Sequence, residues 1–267
     1  MSRPSRARAG SHAPLPLWAL AVVGVCFLAL PLVALLQRAP WRGLGDHLRE
    51  PVVTEALRLS LVTATGATVL CLLVGVPLAW VLARSSLPGL PLLRALVTLP
   101  MVLPPVVGGA ALLYALGRRG LVGGPLHDAT GLLLPYSAWG VVVANAFVAL
   151  PFVVLSVEAG LRTVGTDHEE AAATLGADGW LVLRRVTLPA VVPSVATGAV
   201  LAWARALGEF GASVTFAGNL EGRTRTMPLA IYLELQSGRE TAIVLSLVLV
   251  AVSLLVLVPL RDRWLPG

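Results

Sequence analysis

Arg205 and Glu209 stand four residues apart in WARALGEFGASVTFAGN (203–219), a stretch otherwise free of charge. On a helix that spacing places both on one face. Two chemistries fit: an ion pair that fixes helices, or an anion contact made by the Arg205 guanidinium. Facing lipid, each charge would cost about 2.5–3.5 kcal/mol, so the two should pair or face a cavity. By helix rise Glu209 lies about 28 Å beyond Ala190, near the outer boundary of a span. Glu158, Glu169 and Glu170 raise the question of an intramembrane carboxylate site. Glu169 and Glu170 fall in a polar loop, and Glu158 sits at a span edge four residues before Arg162; solvated helix-end charges are the expected reading. His12, His47, His127 and His168 show no paired-ligand spacing. Cys26 and Cys71 lie inside apolar runs and read as small buried hydrophobes. There is no GxSxG and no GxxxxGK[ST] phosphate loop. A chain without catalytic or metal-binding residues is expected, and it is not an ATPase.

The elements that must position these residues follow from composition. The 267 residues are 57% hydrophobic and 13% charged, with a mean hydropathy of +0.84. Soluble domains carry about 25% charged residues, so the chain reads as an all-α integral membrane protein. The net charge of +6 comes from arginine alone. The arginines are scattered between apolar runs without a basic aromatic stripe, so nucleic acid is not an expected partner. A span needs about 20 apolar residues. About six candidates are present: Leu15–Leu36, Leu57–Ala83, Ala95–Gly117, Leu132–Val157, Ala190–Ala217 and Ala242–Leu260. The first apolar run is too long for a signal-peptide core and reads as a retained span.

Arg3, Arg6 and Arg8 precede the first span with no acid among them. The positive-inside rule then puts the N-terminus in the cytoplasm. Six crossings return the C-terminus there, beside Arg261 and Arg263. The expected organisation is a cytoplasmic tail over residues 1–14 and one membrane domain over 15–267. The loop 158–189 within it is cytoplasmic.

That loop breaks with its surroundings. In EEAAATLGADGW (169–180) the chain turns acidic, helix-forming and then twice glycine-broken. Thr166 and Glu169 have capping-box spacing, and Asp167, Glu169 and Glu170 suit the first turn of a helix. Gly176 is a natural stop. Asp178 can cap a second short helix carrying Trp180, Leu181 and Leu183. Helices this short are marginal alone and need a partner. The string runs Glu170-Ala171-Ala172, three residues, Gly176, nine residues, Val186, one residue, Leu188-Pro189. It resembles the EAA motif of ABC-importer permeases, EAA-x3-G-x9-I-x-LP, with valine in place of isoleucine.

Two further stretches narrow the resemblance. In TLPMVLPPVVGGAALL (98–113), Pro100, Pro104 and Pro105 bend or break a helix. Gly108 and Gly109 allow close approach. This span is either a kinked structural helix or part of a transport path. LPMVLPPVVGG, RALGEFGASVTFAGN and RTRTMPLAIYLELQ (223–236) are similar to the oxyanion permeases for molybdate and sulfate, the last closer to the molybdate branch. The resemblance implies a type I ABC importer permease fold in a bacterial inner membrane. It implies a homodimer, two cytoplasmic ABC ATPase subunits that use ATP and Mg, and an extracytoplasmic binding protein. It makes the loop a coupling helix, with Glu170, Ala171, Ala172, Gly176, Val186, Leu188 and Pro189 meeting the ATPase. Pro104, Pro105, Arg205 and Glu209 become candidates for the translocation path or its gate. No cofactor is expected on this chain. The substrate implied is an oxyanion, molybdate before sulfate, thiosulfate or tungstate. An ion-driven secondary transporter is the reading from another class, and the EAA loop argues against it.

Overall fold

The computed structural model describes residues 15–257 apart from residue 239. Its helices in chain order are α1 (Leu15–Gln37), α2 (Leu44–His47), α3 (Pro51–Arg84), α4 (Leu90–Val102), α5 (Pro105–Leu116), α6 (Gly123–Thr130) and α7 (Ala138–Val164). There follow α8 (Asp167–Thr174), α9 (Gly179–Val182), a π-helical turn (Leu183–Thr187), α10 (Leu188–Leu207), α11 (Gly211–Ala217), α12 (Met227–Gln236) and α13 (Thr241–Leu257). The described residues contain no strand. The tail 1–14, the expected end of the last span at Leu260, and the terminal arginines behind the orientation lie outside the described residues.

The centre of the molecule is a packing of α3, α7 and α10. Lipid is as apolar as these helices, so their association depends on close fit by small residues. The buried residues meet that demand: Ala64, Ala67, Cys71 and Ala79 of α3 lie among Val142, Ala146, Ala149 and Val153 of α7. At Gly198 of α10 a Cβ would fall 3.0 Å from the Val153 Cα. Polar bonds pin the outer layer. The Ser60 hydroxyl accepts the Met227 N–H at the head of α12, 2.7 Å, and Trp203 Nε1 donates to Thr65 Oγ1, 3.2 Å.

Four stretches are long and apolar enough to cross a membrane: Pro16–Gln37, Pro51–Arg84, Ala138–Val164 and Gly179–Leu207. The third expected span, Ala95–Gly117, is not one helix. It is the pair α4 and α5, bent by 118°. The residue before a proline avoids the α region, and Leu103 and Pro104 each precede one; their ψ values are 136° and 131°. The fifth, Ala190–Ala217, also breaks: α10 ends at Leu207 and α11 starts at Gly211. The sixth, over its described part, is a shorter apolar helix.

α1 stands apart, with no buried residue in its apolar window and α13 as its main neighbour. Cys26 is therefore exposed on α1, not buried as its apolar surroundings suggested. Cys71 is buried and its Sγ lies 3.4 Å from the Ala146 carbonyl oxygen.

Candidate functional site

The polar loop is built from local rules. α8 ends in a Schellman motif: Ala177 N–H donates to Ala172 O, 3.1 Å, and Gly176 N–H to Ala173 O, 3.0 Å. The motif needs a left-handed residue at its turn, and Gly176 supplies φ +87°. Asp178 caps α9, as expected, accepting Leu181 N–H at 2.7 Å. Leu183 falls just beyond that helix, in the π turn. There Leu188 N–H reaches back five residues to Leu183 O. Pro189 and Pro193 have no N–H to donate, which leaves the normal ladder incomplete at this junction. Each constant position of the motif thus has a structural role. Glu170 completes the first turn of α8, Ala171 and Ala172 extend it, Gly176 ends it, Val186 lies in the π turn, and Leu188-Pro189 start α10.

The expected capping box does not form. The Thr166 hydroxyl donates to Glu170 Oε1, 2.8 Å, and Glu169 turns inward instead. Its Oε1 accepts from Arg84 Nη2 at 3.1 Å and from Thr187 Oγ1 at 3.0 Å; its Oε2 accepts from Arg84 Nε at 3.1 Å. Arg84 Nη2 also donates to Gly165 O. Glu158 is likewise no solvated helix end. Its side chain is 8% exposed and Oε1 accepts from Arg94 Nε, 3.0 Å, and Arg162 Nη2, 2.7 Å. Only Glu170 of the three is exposed. A buried carboxylate needs such paired, hydrogen-bonded company. Beside the exposed Asp167 and Glu170 the loop also turns large apolar side chains outward: Leu175 is 90% exposed and Trp180 70%.

The second constellation lies where α5 and α11 meet. Arg205 Nη1 and Glu209 Oε2 are 2.6 Å apart, and the Glu209 side chain is 1% exposed. The ion pair expected from spacing is present. Glu209 also heads α11, where its Oε1 accepts Ala212 N–H at 2.7 Å. The backbones of α5 and α11 nearly touch, since a Cβ at Gly109 would lie 2.7 Å from Ala212 O and one at Gly211 2.8 Å from Pro105 Cβ. Pro104 and Pro105 are exposed at the bend. Ser213 Oγ donates to Asn145 Oδ1, 2.9 Å, tying α11 to α7. The loop residues and this constellation are separate sites.

Arg84, Arg94, Thr187, Asn145 and Ser213 carry none of the spacings that sequence reading uses. The one signal was indirect: Arg84 and Arg94 each interrupt or end an apolar run, which calls for an acidic partner somewhere.

Residues 73–265 match the family described as the binding-protein-dependent transport system inner membrane component. The chain belongs to that family; it is a multi-pass inner-membrane transport subunit, as the loop motif implied, and not an enzyme. Over 256 residues it is 50% identical to the molybdenum transport system permease protein ModB of Mycobacterium tuberculosis, covering 94% of this chain and 97% of that protein. It is 37% identical over 221 residues to the sulfate transport system permease protein CysW of Synechococcus elongatus, covering 79% and 77%. Its fold is that of a chain in a bacterial ABC transporter involved in alginate import, with a TM-score of 0.71 at 21% identity, covering 94% and 96%.

Proposed function

We propose that this chain is the permease of an ATP-driven importer that carries molybdate into the cytoplasm. The observation that carries the reading is the 50% identity to a molybdenum permease over nearly the whole of both chains. Sulfate, thiosulfate and tungstate are similar anions and are the alternatives.

In this reading two copies form the membrane unit, two cytoplasmic ATPase subunits bind below, and an extracytoplasmic protein delivers the anion. Both termini and the loop 158–189 face the cytoplasm. The loop is the handle for the ATPase: Leu175 and Trp180 offer apolar contact, and the acids of α8 offer charge. ATP and Mg belong to the ATPase, and this chain holds no cofactor. Each nucleotide state binds one permease conformation better than the other, which produces alternating access. α5 and α11, two short helices in close backbone contact, form the gate. Arg205 and Glu209 hold its geometry, and Pro104 and Pro105 set its bend.

Uptake of labelled molybdate tests the reading. The cells lack their own molybdate and sulfate importers and receive this chain with its ATPase and binding protein. Uptake that survives excess sulfate is expected. Uptake abolished by sulfate, with sulfate itself entering, would move the substrate to sulfate and leave the permease reading standing.

A further inference from the structure

Two arginines near the loop reach across the fold to carboxylates far away in sequence. Arg84 ends α3 and holds Glu169 of α8 through both carboxylate oxygens. It also takes the carbonyl of Gly165, in the link between α7 and α8. Arg94, one turn into α4, holds Glu158 of α7 and donates to Leu82 O of α3, 2.8 Å. The side chains of Arg84, Glu169 and Glu158 are 10%, 17% and 8% exposed. The ends of α3, α4, α7 and α8 are thus cross-tied by charge, and Thr187 adds the π turn.

Without these ties the loop has a weak point. Gly165 has φ +71° and stands between two helices, the type of position that absorbs a hinge motion. Arg84 holds the Gly165 carbonyl and Glu169 beyond it, and Arg94 holds Glu158 on the α7 side before it. α4 is the first half of the bent pair, and its second half, α5, lies against α11 at Gly109. A push on α8 therefore has a route of short, packed contacts to the base of the bent helix.

We propose that Arg84 and Arg94 are positioning residues that make the polar loop and the base of α4 one rigid body. Displacement of the loop is then delivered to the bent helix and is not lost at Gly165. Neither arginine lies at the α5–α11 contact or among the motif residues that face outward. This inference rests on the transport reading above and adds to it the residues that carry the stroke.

The test has two arms on the complete complex. In the first, spin labels sit at His168 on α8 and Leu92 on α4, both exposed. Their separation is measured with and without ATP. One separation in both states is expected for the parent, and a state-dependent one for Arg84→Ala. A parent separation that changes with nucleotide, or an Arg84→Ala separation that does not, overturns the proposal. In the second arm, molybdate carried per ATP hydrolysed is measured in proteoliposomes for Arg84→Glu, Glu169→Arg and the double exchange. A drop of about tenfold is expected in each single variant, with recovery to within about twofold in the exchange. Single variants with the parent ratio, or an exchange that hydrolyses ATP without recovery, overturn it. A parent that hydrolyses ATP and moves no molybdate refutes the substrate alone, and the label distances then decide the role of the arginines.

Discussion

The two ends of this molecule bury their carboxylates by different means. At the α5–α11 contact, Glu209 is held by Arg205, one helical turn before it, and by the next helix's own N–H. At the loop end, Arg94 and Arg84 reach Glu158 and Glu169 from other helices, 64 and 85 residues away, and Glu158 adds a local partner in Arg162. The first arrangement is closed within the short stretch Arg205–Ala212, across the junction of α10 and α11, and can travel with that junction. The second joins separate elements and resists their relative movement. A gate that must open suits local pairs; a lever that must not flex suits long-range ones.

Breaking each arrangement sharpens the contrast. Glu209→Ala should have the largest effect. It leaves the Arg205 side chain, 30% exposed, without its partner and orphans the Ala212 N–H, so stability should fall by about 2–4 kcal/mol. Thermal unfolding in detergent measures this, and an unchanged midpoint would remove Glu209 from the gate's framework. Gly109→Leu comes next. A side chain there meets Ala212 backbone, and overpacking costs about 1–3 kcal/mol. Transport should fall more than stability does, and equal uptake by this variant and the parent would mean that the α5–α11 contact does not gate.

Smaller effects belong to the loop end. Gly176→Val forces a β-branched residue into φ +87°, at a cost of about 1–2 kcal/mol. Membrane insertion should survive while ATP hydrolysis uncouples from uptake; normal uptake would detach the Schellman turn from coupling. The smallest loss of stability is expected from Glu158→Ala, about 1 kcal/mol, because Arg94 and Arg162 are 39% and 54% exposed and can turn to water. A loss as large as that of Glu209→Ala, read by the same unfolding assay, would erase the distinction between the two ends.

Features decided by local chain chemistry were legible without coordinates. Apolar run length located the first, second and fourth spans. Proline positions marked the break between α4 and α5, glycine and aspartate marked the two turns of the loop, and four-residue spacing announced the Arg205–Glu209 pair. All depend on residues within about one or two turns of each other, where backbone stereochemistry acts directly. The EAA-type string was readable for the same reason: it encodes a helix, a turn and a helix start, which are local objects.

Tertiary structure alone decided which glutamate of the pair at 169–170 turns inward. Capping-box spacing pointed Glu169 at its own helix end, and the buried Arg84 guanidinium won it from the exposed backbone N–H. Charge-assisted bonds in partly buried surroundings are stronger than a neutral cap. The same holds for Glu158, whose partner in α4 no spacing rule connects to it. The 118° bend, the near contact of Gly109 with Ala212, and the exposure of α1 were also beyond the sequence. Each is set by how helices distant in sequence pack together, and that is a property of the assembled bundle and of no single segment.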